Sequence, residues 1–276
     1  MIITFYGTRG STPVCESGFQ EFGGNTTCVL VSGGQEGESV LVFDAGTGIR
    51  KLGKELISKK LFPGNKIYLT FSHFHWDHIQ GFPFFAPAYD LNKEIEFFVI
   101  GDDAPKIDDF KEILAKQMES TYFPISIDDM GANFTFTTTK EDRISFDGGQ
   151  IIANKHTHPG GAHGYRLETE GKIFVYCTDL EHGEQLDPKV IEFCKNADVL
   201  IHDAQYTPQE LLTRRGWGHS SWEQAIQVAE LANVKQLYLT HHDPDHNDDF
   251  LRNMEKECQE RFPNCFLARE GQQIKL

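Results

Sequence analysis

Basic residues are scarce in this chain. It has 26 Lys and Arg against 41 Asp and Glu, a net charge of −15 at pH 7 and a pI of about 5.2. No stripe of basic side chains is visible, which disfavours a long RNA or DNA partner. No apolar run is long enough to span a membrane. The start, Met1-Ile2-Ile3-Thr4-Phe5, has no charged leader and no cleavage site, so no secretory signal is read. The six cysteines, at 15, 28, 177, 194, 258 and 265, include no C-x-x-C pair. They read as buried thiols of a reducing compartment rather than as a disulfide framework. These absences together predict a cytoplasmic protein.

What the chain does have is a concentration of histidine. Of its 12 histidines, three fall in "FSHFHWDHIQG", at His73, His75 and His78, with Asp77 among them. Ahead of them Ile67, Leu69 and Phe71 alternate with other residues, which predicts a strand. Gly81 and Pro83 mark a turn behind them. Imidazoles and a carboxylate at a strand end suit a divalent metal such as zinc. One tetrahedral ion does not use four groups so tightly spaced. His73 and His75 can converge on one ion, and Asp77 and His78 can turn to a second.

The same ending recurs along the chain. Val40–Phe43 runs into Asp44, Ile173–Cys177 into Thr178-Asp179, Val199–Ile201 into His202-Asp203, and Leu237–Leu239 into Thr240-His241-His242. Rigid strands delivering polar groups to one rim is how layered α/β proteins build sites. Helices are predicted between them. Thr207-Pro208-Gln209-Glu210 and Ser220-Ser221-Trp222-Glu223 resemble capping boxes, and Asp187-Pro188 is a cap followed by proline. A last helix follows Asn247. Residues 101–144 are the least regular and are read as a lid, a homodimer contact or plain fold. Two ions need one more histidine each and a bridging carboxylate; His158, His241 and Asp179 complete that inventory. His241 is chosen over His242 because it directly follows the strand.

The H-x-H-x-D-H stretch, a later His, a strand-end Asp and a last His resemble the metallo-β-lactamase superfamily over nearly the whole chain. The resemblance implies an α/β (α+β) four-layer αββα sandwich, a single domain over 1–276, and two metals at one edge of the paired sheets. "FYGTRGSTP", "GGNTTCVLV", "VFDAGTGIRKLG", "THPGGAHGYR" and "GWGHSSWEQA" look like the phosphodiesterase branch. That branch holds ribonuclease Z, the cyclic-phosphate phosphodiesterase of phosphonate breakdown and class-II-like cyclic nucleotide phosphodiesterases. Zinc β-lactamases that open penicillins commonly place a cysteine where Asp179 stands, and Cys177 is two residues early. The di-iron oxygen reducers carry Glu where this chain has His75. The glycine- and proline-rich arm of ribonuclease Z is not found.

The resemblance implies a dinuclear metal-dependent hydrolase, a phosphodiesterase on a small, anionic, cyclic or nucleotide-like diester. An acyl hydrolase on the same metals and a non-catalytic metal-binding regulator are the alternatives. Two divalent ions, zinc first with manganese or iron open, outweigh Asp77 and Asp179 and attract an anion. Asp77, His219 and Asp203 are the expected catalytic residues. His219 protonates the leaving alkoxide, and Asp203 either orients it or is an exposed strand-end carboxylate. Asp44 either supports a metal-bound histidine or caps its own turn. The aromatic run Phe82, Phe84, Phe85 and Tyr89 stacks a base or, more in keeping with 22 phenylalanines, packs the core.

Overall fold

The computed structural model describes residues 1–33, 39–58, 64–146 and 149–276. Its strands are β1 (Ile2–Gly7), β2 (Cys28–Ser32), β3 (Ser39–Phe43), β4 (Lys66–Thr70), β5 (Glu94–Ile100), β6 (Asn133–Thr139), β7 (Arg143–Phe146), β8 (Gly149–His156), β9 (Ala162–Thr169), β10 (Lys172–Cys177), β11 (Val199–Asp203), β12 (Leu237–Thr240), β13 (Cys265–Leu267) and β14 (Gln273–Lys275). They form two seven-stranded sheets, ordered β14-β1-β2-β3-β4-β5-β6 and β13-β12-β11-β10-β9-β8-β7. Both sheets follow one plan. Three antiparallel pairings, β14/β1/β2/β3 and β7/β8/β9/β10, continue into three parallel ones, β3/β4/β5/β6 and β10/β11/β12/β13.

The central strands are apolar on both faces because both faces are covered. In β3, Leu41 and Phe43 point to the other sheet, whereas Val40 and Val42 point to helices. In β10, Phe174 and Tyr176 point inward, whereas Val175 and Cys177 point outward. The outer face of the first sheet packs on α1 (Ile49–Ile57) and α3 (Ile107–Lys116) through Leu52, Leu56, Phe110 and Leu114. α2 (Trp76–Ile79) lies between them in the chain. The second sheet packs on α4 (Pro188–Phe193), α6 (Trp222–Leu231) and α7 (Asp248–Arg261) through Val190, Ile226, Leu251 and Met254. A short α5 (Pro208–Leu211) lies between α4 and α6 in the chain. Each fully buried Leu, Ile or Phe contributes roughly 1.5–3 kcal/mol, so these three apolar layers hold the αββα sandwich together.

Within residues 101–144, Phe110 of α3 packs against Phe71 and Phe97, so this part of the segment is helix layer. Of the aromatic run, Phe82 and Phe85 are fully buried, whereas Phe84 and Tyr89 are exposed. Three helix starts follow their sequence signals: Asp187, Thr207 and Asn247 each accept a backbone N–H in the first turn. At α6 the cap is Ser221, not Ser220, with Gln224 completing the box. Ser220 is already committed, its N–H to Asp203 and its hydroxyl to the Leu180 carbonyl. Among the described residues no helix is long and apolar enough to cross a membrane.

Candidate metal centre

The parallel strands set the site. Phe43 pairs with Thr70, Cys177 with His202, and Asp203 with Thr240. The residues just beyond these ends therefore emerge side by side. Several do so in a costly conformation. Asp44, Asp179 and His241 have φ of 62°, 55° and 63°, and Ser11 beside them has 61°. Left-handed backbone at non-glycine residues is uncommon and gathers at functional sites. Here it swings each side chain off its strand toward one point.

Two histidine groups meet there across one carboxylate. His73, His75 and His158 bring their ring nitrogens together, and so do Asp77, His78 and His241. Asp179 lies between the groups. Its Oδ1 is 3.8 Å from Nε2 of both His73 and His158. Its Oδ2 is 3.1 Å from His78 Nε2 and 3.5 Å from His241 Nε2. His242 points elsewhere, its Nε2 2.9 Å from the Ala268 carbonyl. Cys177 lies on the helix side of β10, its Sγ 3.9 Å from Cys194 Sγ, and takes no part.

The donor set fits divalent ions. Nε2 of His73 is buried without a hydrogen-bond partner, and leaving such a group unpaired is costly. His75 Nδ1 and His158 Nε2 face each other at 3.1 Å. Charge is concentrated as a cation site requires. Burial lowers the His73 and His158 imidazoles below their usual value. Burial works the same way on His78 and His241, but the Asp179 and Asp77 carboxylates overcome it. They raise His78 well above its ordinary value and His241 to about 9. Asp77 and Asp179 remain well below the carboxylate range despite burial, because His78 and His241 face them.

An outer layer holds these groups in place. Asp44 is fully buried and binds His78 Nδ1 at 2.9 Å. It also accepts from the Ser72 N–H and the Tyr176 hydroxyl. Thus the Asp44 carboxylate supports a histidine rather than only capping its turn. The Ser11 N–H donates to Asp77 Oδ2 at 2.8 Å, and Gln205 Oε1 meets His241 Nδ1 at 2.8 Å. Gly10 packs against His241: a Cβ there would lie 2.2 Å from Nδ1. Ser11 and Gly10 sit inside "GTRGSTP", the signal that could have pointed to them; Gln205 and Tyr176 had none.

His219 and Asp203 form a third unit. His219 Nδ1 is 2.9 Å from Asp203 Oδ2, and its ring stacks on His241 at 4.8 Å. Asp203 is fully buried, so the exposed-carboxylate reading does not hold. It accepts from the backbone N–H groups of Asp179 and Ser220 as well.

The fold and this donor set define a metal-dependent hydrolase. Residues 40–242 match the family described as the beta-lactamase superfamily domain, and the chain belongs to that superfamily. A ribonuclease Z of Prochlorococcus marinus is 26% identical over an alignment of 329 positions, covering 100% of this chain and 99% of that protein. A ribonuclease Z of Picrophilus torridus is 24% identical, covering 97% and 93%. Among solved structures, the metallo-beta-lactamase fold protein YhfI from Bacillus subtilis superposes with a TM-score of 0.73 at 20% identity, covering 99% of this chain and 98% of that one.

The ribonuclease likeness overturns one expectation. The acidic balance and the missing basic stripe disfavour a long nucleic-acid partner, yet relatives named as ribonucleases match over 97–100% of the chain. Net charge is a sum over the surface, whereas a phosphodiester responds to the local field of the site.

Proposed function

We propose that the protein is a dinuclear phosphodiesterase that cleaves nucleotide phosphodiester bonds, RNA included, with 1–276 acting as one domain. The observation that carries this reading is the split of the Asp179 carboxylate. One oxygen faces His73 and His158, and the other faces His78 and His241. His73, His75 and His158 would hold one ion, Asp77, His78 and His241 a second, and Asp179 both. Two divalent ions, zinc foremost, supply Lewis acidity and lower the pKa of water toward about 7.

The chain's own residues do the rest. Asp44 and Gln205 fix the far nitrogens of His78 and His241, so both rings present Nε2 to the centre. Asp203 holds Nδ1 of His219 and leaves Nε2 to give a proton to the departing alkoxide. The ribonuclease relatives support phosphate over an acyl substrate.

The test is turnover by zinc- or manganese-loaded protein on bis-p-nitrophenyl phosphate, 2′,3′-cyclic nucleotides, a short single-stranded RNA and a lactone, together with elemental analysis. About two ions per chain and cleavage of the phosphodiesters are expected. Lactone hydrolysis alone, or fewer than one ion per chain after metal-replete expression, would refute the proposal.

A further inference from the structure

A cavity of about 270 Å³ opens beside the first histidine group and shares His73 and His75 with it. Phe74, Pro105 and Ile113 give it an apolar lining. Gly160 and Gly161 line it as well, both with φ of +85°. A Cβ on Gly160 would stand 3.7 Å from His75 Nε2, and one on Gly161 3.6 Å from Asp103 Oδ2.

Asp103 supplies the polar end. Its Oδ1 is 2.6 Å from His163 Nε2, and its Oδ2 is 2.5 Å from Lys155 Nζ. The arrangement is built into the backbone. The His163 N–H is bonded to the Ser72 carbonyl. Gly101, at φ +126°, permits the ring, since a Cβ there would lie 2.9 Å from Nε2.

A carboxylate offers about four lone-pair sites, and two partners leave room for more donors. The end of the cavity therefore accepts N–H groups, while Lys155 offsets the charge of the carboxylate. The cavity's apolar lining favours a flat, uncharged ring. Its volume lies just under the ~300–1,000 Å³ of sites for drug-sized ligands, so it suits a single ring system.

We propose that this cavity receives a nucleobase of the substrate. The ring lies along Phe74 and Ile113 with its N–H edge toward Asp103, while the attached phosphate rests at the metal centre. Guanine, with adjacent ring and amino N–H groups, offers the fullest match. The inference rests on the phosphodiesterase reading and adds the substrate's other half to it. Asp103 is then a specificity residue that never meets the reacting atoms.

Two esters with the same leaving group test it: guanosine 5′-(p-nitrophenyl phosphate) and methyl p-nitrophenyl phosphate, with the metal-loaded full chain. The native protein should prefer the guanosine ester, chiefly through KM. Ile113→Trp, which fills the cavity, should reduce that preference about tenfold, the usual worth of one stacked base. Asp103→Asn should reduce it too, and it carries the test if the larger tryptophan prevents folding. Free guanosine should compete with the guanosine ester in the native protein and less well in either variant. A native protein without preference, or equal losses on both esters, overturns the cavity assignment and leaves the phosphodiesterase reading standing. No p-nitrophenol from either ester overturns that reading itself.

Discussion

His219 is where holding a substrate and converting it separate. It stands outside both proposed ion groups and is bonded through Nδ1 to Asp203, with Asp179 3.9 Å away. His219→Ala should therefore keep its metal and fold while losing roughly 10²–10⁴-fold in turnover, the usual worth of a positioned acid. The loss should be much smaller for a p-nitrophenyl ester, whose leaving group needs no proton. Equal losses on good and poor leaving groups would assign the ring to binding instead. His73, His75, Asp77 and His78 were legible as a group because they are nearly contiguous, and the strand-end carboxylates because an apolar run announces them. Tyr176 was not, because its hydroxyl reaches Asp44 across 132 positions and no local spacing records such a contact.

Among the elements, the loop leading into α6 shows how tightly position is enforced. Glu181 accepts N–H groups from both Gly216 and Gly218, and the Gly218 carbonyl meets His158 Nδ1 at 2.8 Å. Gly218 has φ +92°, and a Cβ on it would lie 2.1 Å from that nitrogen. On the proposed two-ion centre, Gly218→Ala should thus push His158 aside and cost one bound ion, read by elemental analysis, with the far-ultraviolet spectrum unchanged. Retention of both ions would mean the loop yields rather than the ring. Helix starts were legible at Asp187, Thr207 and Asn247, where the side chain that signals the start also caps the first turn. The start of α6 was misplaced by one residue because Ser220 answers to Asp203 and Leu180, partners far away in sequence.

The whole molecule carries its −15 charge into any encounter with a polyanion. Counterion release normally weakens nucleic-acid binding as salt rises. Here long-range repulsion comes first, and it fades as the Debye length shortens from about 30 Å at 0.01 M to about 8 Å at 0.15 M. The kcat/KM on a single-stranded RNA should accordingly rise over that range, and a steady fall would reveal a basic path that outweighs the total.

Acid should act on the whole fold as well. Burial, then the nearby His202 and His156, push His182 down to about 3, against an ordinary ~6.5. The folded state keeps this ring neutral, whereas the unfolded chain protonates it below ~6.5. Its stabilising share is whole above that pH and is lost as the pH falls toward 3. His182→Asn should flatten the loss of urea stability between about pH 6.5 and 4 by up to ~1.4 kcal/mol per pH unit. An unchanged slope would mean the ring is solvated in the native state. A layered α/β protein was legible in the alternation of apolar runs and caps, and the four-layer sandwich only through the motifs that resemble the metallo-β-lactamase superfamily. The matching plan of the two sheets was not, because pairing order leaves no repeat in the residues themselves.

The meeting of two sheets at one edge also sets an order in time. His73 is made about 170 residues before His241, a gap of roughly 10–30 s at the usual ~5–20 residues per second of synthesis. Through that interval the nascent chain displays half a centre. β1 meanwhile waits for β14, whose Lys275 pairs with Ile2. The catalytic edge is therefore complete only once residue 241 is made, with α7, β13 and β14 still to follow, and a ribosome that stalls before residue 241 leaves behind histidines but no centre.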